Sequence, residues 1–272
     1  INDIPEAKLI SEYLMVQKRT AQVQSWIDAV SPTTGRVHGK VNSNGAVTGR
    51  MTHNSPNLAQ VPASYSPYGK DCRECWSVRE GYKLVGFDAS GLELRMLAHY
   101  MNDKEYINEV VNGDIHSTNQ RLAGLESRDT AKTFIYALLY GAGDAKLGSV
   151  VGGNQRAGKS LRERFSSNLR SFGVLRERIQ SKISYGPQMV TGLDGRLVHV
   201  RSQHSALNTL LQSAGAIVMK QALLLLDDYA KQWKLDYRFV GNIHDEVQTE
   251  VREDQAEKFG RLAVSCIEAA GN

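Results

Sequence analysis

The sequence predicts an α+β fold in which a mainly helical segment is inserted between strands. Short apolar runs typical of strands occur at residues 83–88, and again at 193–200 and 237–251. Residues 102–185, between the first two of these runs, instead read mainly as helical segments. Strands that flank a helical insertion indicate an α+β arrangement with an inserted helical subdomain.

The first third of the chain contains a helix, a turn-rich region and a strand–helix junction. Residues 4–30 are predicted to be helical because their apolar side chains recur at helical spacing. Residues 31–81 are rich in glycine and proline, which favours short strands and ordered loops over helices. The apolar run 83–88 ends in Asp88, and helical periodicity resumes at 91–101. Asp88 is therefore expected at the end of a strand, directly before a helix.

The last third alternates between strands and helices. An Asp-Gly turn introduces the predicted strand at 193–200. A long proline-free helix follows at about 205–231. Residues 237–251 read as strand, tight turn and strand, and a final helix is expected at 254–269.

Composition restricts the class of protein. The chain has 272 residues, of which 41% are apolar, enough to bury a sizeable core. Three cysteines argue against a disulfide scaffold, and Cys72 and Cys75 lack the second pair that a structural zinc site needs. Lys220 and Gln221 interrupt the longest apolar stretch, so no membrane association is predicted. A net charge of +4 is compatible with a polyanionic partner.

Asp88 is the first candidate site residue. A carboxylate at the end of an apolar strand is held rigidly, with its oxygens available to a hard cation. Mg²⁺ usually takes one or two carboxylates together with substrate phosphates. A strand-terminal aspartate can also do no more than cap the following helix.

Asp245 is the second candidate. Two apolar strands meet at His244 and Asp245, without the Asn-Gly pair typical of a structural hairpin. If Asp245 lies beside Asp88, the pair could hold two metal ions about 3.5–4 Å apart. That spacing suits activation of an attacking hydroxyl and stabilisation of a leaving phosphate.

A helix predicted at residues 128–141 is the third element. Arg128, Lys132, Tyr136 and Tyr140 step by four and form one stripe. The opposing face is apolar and consists of Ala131, Phe134, Ile135 and Leu138. Two cations beside two aromatic rings match a nucleoside triphosphate, although a simple surface stripe would have the same pattern.

These three elements resemble motifs A, B and C of family A, or polymerase-I-like, DNA polymerases, in the family's order. The resemblance extends over nearly the whole chain. Further matching segments lie at residues 47–50, 56–62, 112–116 and 207–215. Within the family, the chain is most similar to the replicative polymerases of the T-seven group of phages, through residues 12–19, 88–95 and 128–136.

The resemblance implies a right-hand polymerase fold with an antiparallel palm sheet and an inserted, mainly helical fingers subdomain. Residues 1–30 would form a helix at the base of the thumb. Residues 31–100 and 193–272 would form the palm, and 101–192 the fingers, with the motif B helix at about 126–141. The implied activity is template-directed DNA synthesis in phage or bacterial replication, in the cytoplasm of the host cell if the protein is phage-encoded. Each deoxyribonucleoside triphosphate would be transferred to a primer 3′ end, with release of pyrophosphate.

By the same resemblance, two Mg²⁺ ions would be bound by Asp88, Asp245 and the Ala89 carbonyl. Glu246 would act beside them, and with His244 it would lie near the primer terminus.

The resemblance also assigns the nucleotide-binding residues. Arg128, Lys132 and His116 would bind the triphosphate, and Lys132 would protonate the leaving pyrophosphate. Glu93 with Tyr136 would exclude a 2′-hydroxyl. Tyrosine rather than phenylalanine at position 136 implies weak discrimination against 3′-deoxy analogues.

Residues implied to contact DNA or the templating base form a separate set. Tyr140 would stack near the templating base. The expected primer–template contacts are Arg50, Asn57, Gln60, Asn208, Gln212 and His244, several of them at the minor groove, where correct base pairs share acceptors.

Several parts of the family are not recognised in this sequence: the proofreading exonuclease, most of the thumb, the thioredoxin-binding insertion and the last palm segment. The chain also begins at Ile1 rather than Met, and its first ten residues contain charges unlike a signal peptide. It is therefore predicted to be a fragment of low activity by itself. Primer–template DNA and deoxyribonucleotides are the expected partners, and a processivity factor or a helicase/primase would bind elements outside the chain.

Two other interpretations fit parts of the sequence. Residues 153–160 fit the P-loop pattern GxxxxGK(S/T), and 223–228 imitate a Walker B strand. A P-loop requires a preceding buried strand, which 144–151 makes poorly, and 223–228 lie in a helix-favouring segment. A DNA-binding remnant without activity would have lost a carboxylate or a motif cation, and all of them are present.

Overall fold

A computed structural model describes residues 4–271. In this range the helices are α1 (Pro5–Asp28), α2 (Gly69–Glu74), α3 (Leu92–Met101), α4 (Lys104–Asn112), α5 (Ile115–Ala123), α6 (Arg128–Leu139), α7 (Asp144–Val150), α8 (Gln155–Asn168), α9 (Arg170–Tyr185), α10 (Ala206–Gln232) and α11 (Ala256–Ala270). The strands are β1 (Lys40–Asn42), β2 (Thr52–Asn54), β3 (Tyr82–Asp88), β4 (Met189–Thr191), β5 (Leu197–His199), β6 (Tyr237–Ile243) and β7 (Glu246–Arg252). The mixture of helices with antiparallel sheets confirms the α+β class.

The chain divides into two compact units. Of the described residues, the first unit comprises 4–46, 51–88 and 227–264, and the second comprises 47–50, 89–226 and 265–271. The division into thumb, palm and fingers stays a prediction. Residues 1–3 and 272, which those boundaries include, lie outside the described residues.

The first unit is built on an antiparallel sheet of three strands in the order β3-β7-β6. Helix α11 covers one face of this sheet. Phe259 of α11 packs against Phe87 of β3, with ring centroids 6.4 Å apart, and against Tyr237 of β6 at 5.3 Å. Val247 and Val251 of the central strand are fully buried.

The second unit has a core of packed helices. Phe165 of α8 packs edge-on against Phe134 of α6 at 5.6 Å and against Phe172 of α9 at 5.3 Å. The predicted apolar face of the 128–141 helix is confirmed. Its four residues, Ala131, Phe134, Ile135 and Leu138, are all buried.

Two local predictions differ from the structure. The strand expected at 193–200 is shorter, because Gly192 and Arg196 pair across a turn that joins β4 to β5. A six-residue helix, α2, also forms where only loops and short strands were expected. It is stabilised by burial of Cys72, which a local excess of glycine and proline does not reveal.

The P-loop interpretation is wrong. Residues 144–150 form a helix, and Gly158 and Lys159 lie within α8 rather than in a loop after a strand. Gly158 is required because a Cβ there would lie 1.9 Å from the Asp144 carbonyl oxygen, where α7 and α8 touch. The Walker B imitation, 223–228, lies inside α10.

Helix α10 is apolar enough to resemble a membrane span. The segment Gln203–Gln232 is long enough to cross a bilayer and has a window of mean hydropathy 1.4. However, 61% of that window is buried inside the protein. This burial is what the core helix of a folded domain shows.

Candidate functional site

Strand pairing determines where Asp88 projects. In the antiparallel pair β3–β7, Phe87 is opposite Val247 and Asp88 is opposite Glu246. Successive side chains of a strand point to opposite faces of the sheet. Phe87 therefore enters the core beside Phe259, whereas Asp88 and Glu246 project from the other face.

Asp245 lies in a two-residue hairpin turn. Strand β6 ends at Ile243 and pairs there with Glu246, the first residue of β7, so His244 and Asp245 form the whole loop. His244 has φ +64°, a conformation that such turns usually give to glycine or asparagine. A histidine in this conformation costs about 1–2 kcal/mol, and strain of this kind is concentrated at functional sites.

The register therefore brings the two predicted metal ligands to one end of the sheet. Asp245 is the immediate neighbour of Glu246, which is the pairing partner of Asp88. Gln248, two residues along the same face, donates a hydrogen bond to Glu246. Gly86 is opposite Gln248, and a Cβ at Gly86 would lie 2.8 Å from the Gln248 side-chain nitrogen. The glycine leaves room for the amide that supports Glu246.

This carboxylate group suits a hard cation. Among residues 4–271, no cluster of three or more His, Cys, Asp or Glu side chains forms a metal site. Mg²⁺ does not need such a cluster, because it takes one or two carboxylates and completes its shell with water and phosphate oxygens. Asp88, Asp245 and the carbonyl of Ala89 are oxygen donors of that kind.

A second histidine lies near the hairpin. Burial lowers the pKa of His53, electrostatic interaction with the nearby His244 lowers it further, and a hydrogen bond with the backbone of Asn242 partly opposes the shift. The shift favours the neutral form of His53, and β2 brings this side chain close to the loop that carries Asp245.

Two predicted DNA contacts of the first unit lie on one turn. Asn57 caps the 3₁₀ turn Leu58–Gln60, and its side-chain oxygen accepts a hydrogen bond of 3.1 Å from the Ala59 nitrogen. Gln60 is exposed, and its carbonyl accepts a 2.7 Å bond from Gln22 of α1. The backbone of this turn is thus fixed at both ends.

In the second unit, the predicted stripe follows helix α6. Arg128 is its first residue, Lys132 and Tyr136 follow at one-turn intervals, and Tyr140 is the C-cap. Arg128, Lys132 and Tyr140 are exposed, and Tyr136 is half-buried. Ser127 begins the helix by accepting a hydrogen bond from Thr130.

Arg128 is held by Asp114. The guanidinium donates two hydrogen bonds to the two carboxylate oxygens, at 2.8 and 3.1 Å. The Arg128 guanidinium, with help from the Ser117 hydroxyl, holds the pKa of Asp114 well below its usual range. Asp114 is also the N-cap of α5, and its side chain accepts a hydrogen bond from the backbone nitrogen of His116.

His116 and Tyr136 are neighbours. Their ring centroids are 6.2 Å apart. Burial lowers the pKa of His116, and the charges of Arg128 and Lys132 lower it further. The three side chains predicted to bind the triphosphate therefore lie close enough to influence one another electrostatically.

Glu93 lies in the first turn of α3 and is buried, with 8% of its surface exposed. Arg50 donates to its Oε1 at 2.7 Å, and the side chains of the pair are only 14% and 10% exposed. The Tyr140 hydroxyl lies 3.4 Å from the same oxygen. Arg50, predicted as a DNA contact, is thus also the ion-pair partner of the predicted sugar-selecting residue.

The remaining predicted contacts lie on α10. Asn208 and Gln212 are one helical turn apart and half-buried. Ser213, which follows Gln212, is fully buried and accepts a hydrogen bond of 3.1 Å from Arg196. Sequence reasoning assigned no role to Arg196 or to Asp114. Their contacts with distant residues leave no trace in local periodicity, although Asp114 lies in a segment that matches the family.

Comparison with known proteins places the chain in a family. The model of "DNA polymerase family A" matches residues 1–272. The DNA-directed DNA polymerase of Enterobacteria phage T3 is 44% identical over 284 residues, covering 92% of this chain and 40% of that relative. The enzyme of Escherichia phage T7 is 44% identical over 281 residues, with 91% and 40% covered. This chain spans about 40% of the length of these phage relatives.

A solved structure supports the fold. The chain is similar, with a TM-score of 0.84 and 23% identity, to the POL domain of Pol1 from M. smegmatis in complex with DNA primer-template and dNTP. The match covers 93% of this chain and 48% of that chain. The polymerase fold expected from the resemblance is therefore confirmed, and the chain belongs to DNA polymerase family A.

Proposed function

We propose that this chain carries the nucleotidyl-transfer centre of a template-directed DNA polymerase that acts in phage or bacterial DNA replication, in the cytoplasm of the host cell. The observation that carries the proposal is the strand register that brings Asp245 next to the pairing partner of Asp88. Phosphoryl transfer depends on positioning and charge neutralisation rather than on covalent chemistry by the protein. A rigid pair of carboxylates at one end of a sheet meets the first requirement.

Asp88, Asp245 and the Ala89 carbonyl would hold two Mg²⁺ ions. When bound, the ions would activate the primer 3′-hydroxyl and stabilise the charge of the leaving pyrophosphate. Glu246, supported by Gln248, would act beside the ligands. His244, at the exposed tip of the hairpin, would contact the primer terminus.

The incoming nucleotide would be bound by α6 and the start of α5. Arg128 would exchange its bidentate contact with Asp114 for the triphosphate, which offers the same paired oxygens. Lys132, one turn further along the exposed face, would donate a proton to the pyrophosphate as it leaves. His116 would contribute a third donor.

Sugar and base selection would involve the neighbouring residues. The buried carboxylate of Glu93 and the ring of Tyr136 would leave no space for a 2′-hydroxyl. Tyr140, at the C-terminal end of α6, would stack near the templating base. Because position 136 is a tyrosine, 3′-deoxy analogues should be accepted readily.

Primer–template DNA would be contacted through the minor groove and the sugars. Arg50, Asn57, Gln60, Asn208 and Gln212 are the proposed residues, and each carries at least one hydrogen-bond donor for acceptors that correct base pairs share. A processivity factor or a helicase/primase would be an additional partner, bound through elements other than those described above.

The proposal is tested by single-nucleotide incorporation with Mg²⁺, using the whole natural polypeptide and four templates that differ in the first unpaired base. Each template should direct addition of its complementary deoxyribonucleotide only. Lys159→Ala serves as a control, because its exposed pair with Glu163 lies in α8, outside the proposed site. Absence of extension, or DNA-dependent ATP hydrolysis abolished by Lys159→Ala, would contradict the proposal.

A further inference from the structure

Arg196 anchors a peptide segment that is distant in sequence. It lies on the turn that joins β4 to β5, and its Nη2 donates to the Thr48 carbonyl at 2.8 Å. The same nitrogen donates to the hydroxyl of Ser213, on α10, at 3.1 Å. Because Ser213 is fully buried within a helix, it holds the guanidinium against a rigid element.

The backbone of Gly49 packs closely against this guanidinium. It has φ +84°, and a Cβ there would lie 2.5 Å from Arg196 Nη2 and 2.8 Å from Nη1. A side chain at position 49 would therefore displace Arg196, in addition to the strain of a positive φ. The guanidinium thus packs directly on the backbone that leads into Arg50.

Arg50 links this peptide segment to Glu93 through an ion pair. Their contact is a charge-assisted hydrogen bond of 2.7 Å between two side chains that are largely removed from water. The Tyr140 hydroxyl lies 3.4 Å from the same carboxylate oxygen. The orientation of the Glu93 carboxylate consequently depends on where the peptide at 48–50 is held.

We propose that Arg196 is a positioning residue for sugar selection: by fixing Thr48 and Gly49 it aims Arg50 at Glu93, and so holds the Glu93 carboxylate where a 2′-hydroxyl would collide. This inference rests on the proposed function, because it takes Glu93 to be the residue that excludes ribonucleotides. Without the anchor, the 48–50 peptide moves, the carboxylate adopts other rotamers, and ribonucleotides enter the pocket more readily.

The test compares Arg196→Lys with Arg201→Lys in the whole natural polypeptide. Lysine keeps the charge, but its flexible ammonium group lacks the flat guanidinium that packs on Gly49 while one of its nitrogens bonds Thr48 and Ser213. Arg201 is an exposed arginine five residues further along the chain. For each variant, kcat/KM is measured for a deoxyribonucleotide and for the matching ribonucleotide. We expect Arg196→Lys to reduce the preference for deoxyribonucleotides by about tenfold, the effect of one lost charge-assisted hydrogen bond, and Arg201→Lys to leave it unchanged.

Two further variants separate positioning from general damage. Gly49→Ala keeps arginine at position 196, but the added Cβ should displace its guanidinium. This variant should therefore lower the same preference. In a Glu93→Ala background, adding Arg196→Lys should change the preference no further, because both act through one carboxylate. An equal loss of activity with both nucleotides, or an additive loss in the Glu93→Ala background, would overturn the proposal. Absence of any extension by the unmodified protein would instead contradict the proposed function.

Discussion

Among individual residues, Arg128 is the one whose environment bears most directly on nucleotide binding. Its guanidinium is already engaged by both oxygens of Asp114. A triphosphate that binds Arg128 must therefore displace an internal carboxylate. Asp114 is thus expected to weaken nucleotide binding while it stabilises the protein as the N-cap of α5.

Asp114→Asn should lower the KM for deoxyribonucleotides by about two- to fivefold, the scale of an exposed ion pair. Asparagine remains a good N-cap, so α5 should be preserved. Steady-state incorporation kinetics measure the effect. Asp129→Asn is the matched control. Asp129 is next to Arg128, and within residues 4–271 its carboxylate forms no ion pair, while its backbone carbonyl accepts a hydrogen bond from the Thr133 hydroxyl. A KM that rises in Asp114→Asn, or falls equally in both variants, would contradict this interpretation.

The lowered pKa of His116 predicts that nucleotide binding depends on pH. Burial and the charges of Arg128 and Lys132 lower its pKa, whereas a bound triphosphate would raise it. Nucleotide binding should therefore take up a proton and become tighter as the pH falls below about 6.5, the ordinary pKa of histidine. The nucleotide dissociation constant, measured between about pH 5.5 and 8, should have a steeper pH dependence in the unmodified protein than in His116→Gln. Titration of the nucleotide itself is common to both proteins, so identical slopes would exclude this role for His116.

The stability of the protein should change with pH in the opposite direction to nucleotide binding. The pKa of folded His116 is below its unfolded value, as is that of His53. Both histidines therefore favour the folded state above the unfolded pKa, and this contribution is lost as the pH falls through the folded pKa.

At the level of secondary structure elements, the sheet of the first unit depends on a buried carboxylate. Glu250 of β7 is fully buried, and Arg36 lies 3.0 Å and Arg79 3.3 Å from its two oxygens. These contacts attach the segment between α1 and β1, and the segment before β3, to the central strand. They lie on the same face of β7 as Glu246, so they support the strand that carries the hairpin.

Glu250→Gln should lower the free energy of unfolding by about 1–3 kcal/mol, because it removes a buried charged acceptor while the arginines remain partly solvated. Glu253→Gln is the matched control. Its pair with Lys83 is more than half exposed, and its loss should cost no more than about 0.5 kcal/mol. Urea unfolding measures both changes. Equal destabilisation by the two variants would show that the Glu250 cluster contributes nothing particular to the sheet.

Elements with a strong local pattern were predicted well. The strand that ends at Asp88 and the helix that begins at Arg128 are both present, since a run or a periodicity of apolar residues specifies each of them. The ion pair Arg50–Glu93 joins residues 43 positions apart, and the Arg196–Thr48 bond spans 148 positions. Such contacts arise from tertiary packing, which local periodicity does not encode.

For the molecule as a whole, the family was predictable because several motifs occur in a fixed order. The net charge of +4 is small, so any affinity for DNA must come from local basic groups rather than from the overall field. The sequence and the structure agree on two carboxylates at one end of a sheet and on a cationic helix in the other unit.

Binding of primer–template DNA should weaken by on the order of tenfold or more between about 50 and 200 mM salt, because cations released from phosphates dominate such binding. Fluorescence anisotropy of a labelled primer–template measures the dissociation constant. An affinity that does not change with salt would indicate that phosphate contacts are not the basis of DNA binding.

The carboxylate pair is tested most directly by primer extension at increasing Mg²⁺ concentration with the unmodified polypeptide, Asp88→Asn and Asp245→Asn. Asp254→Asn, an exposed carboxylate paired with Arg252, is the control. We expect each of the first two substitutions to reduce extension by about a hundred- to a thousandfold, the cost of removing one group that stabilises charge in the transition state. Primer–template binding by these variants, and extension by Asp254→Asn, should remain near the unmodified level. Extension by Asp88→Asn or Asp245→Asn at the unmodified rate would contradict the two-metal assignment.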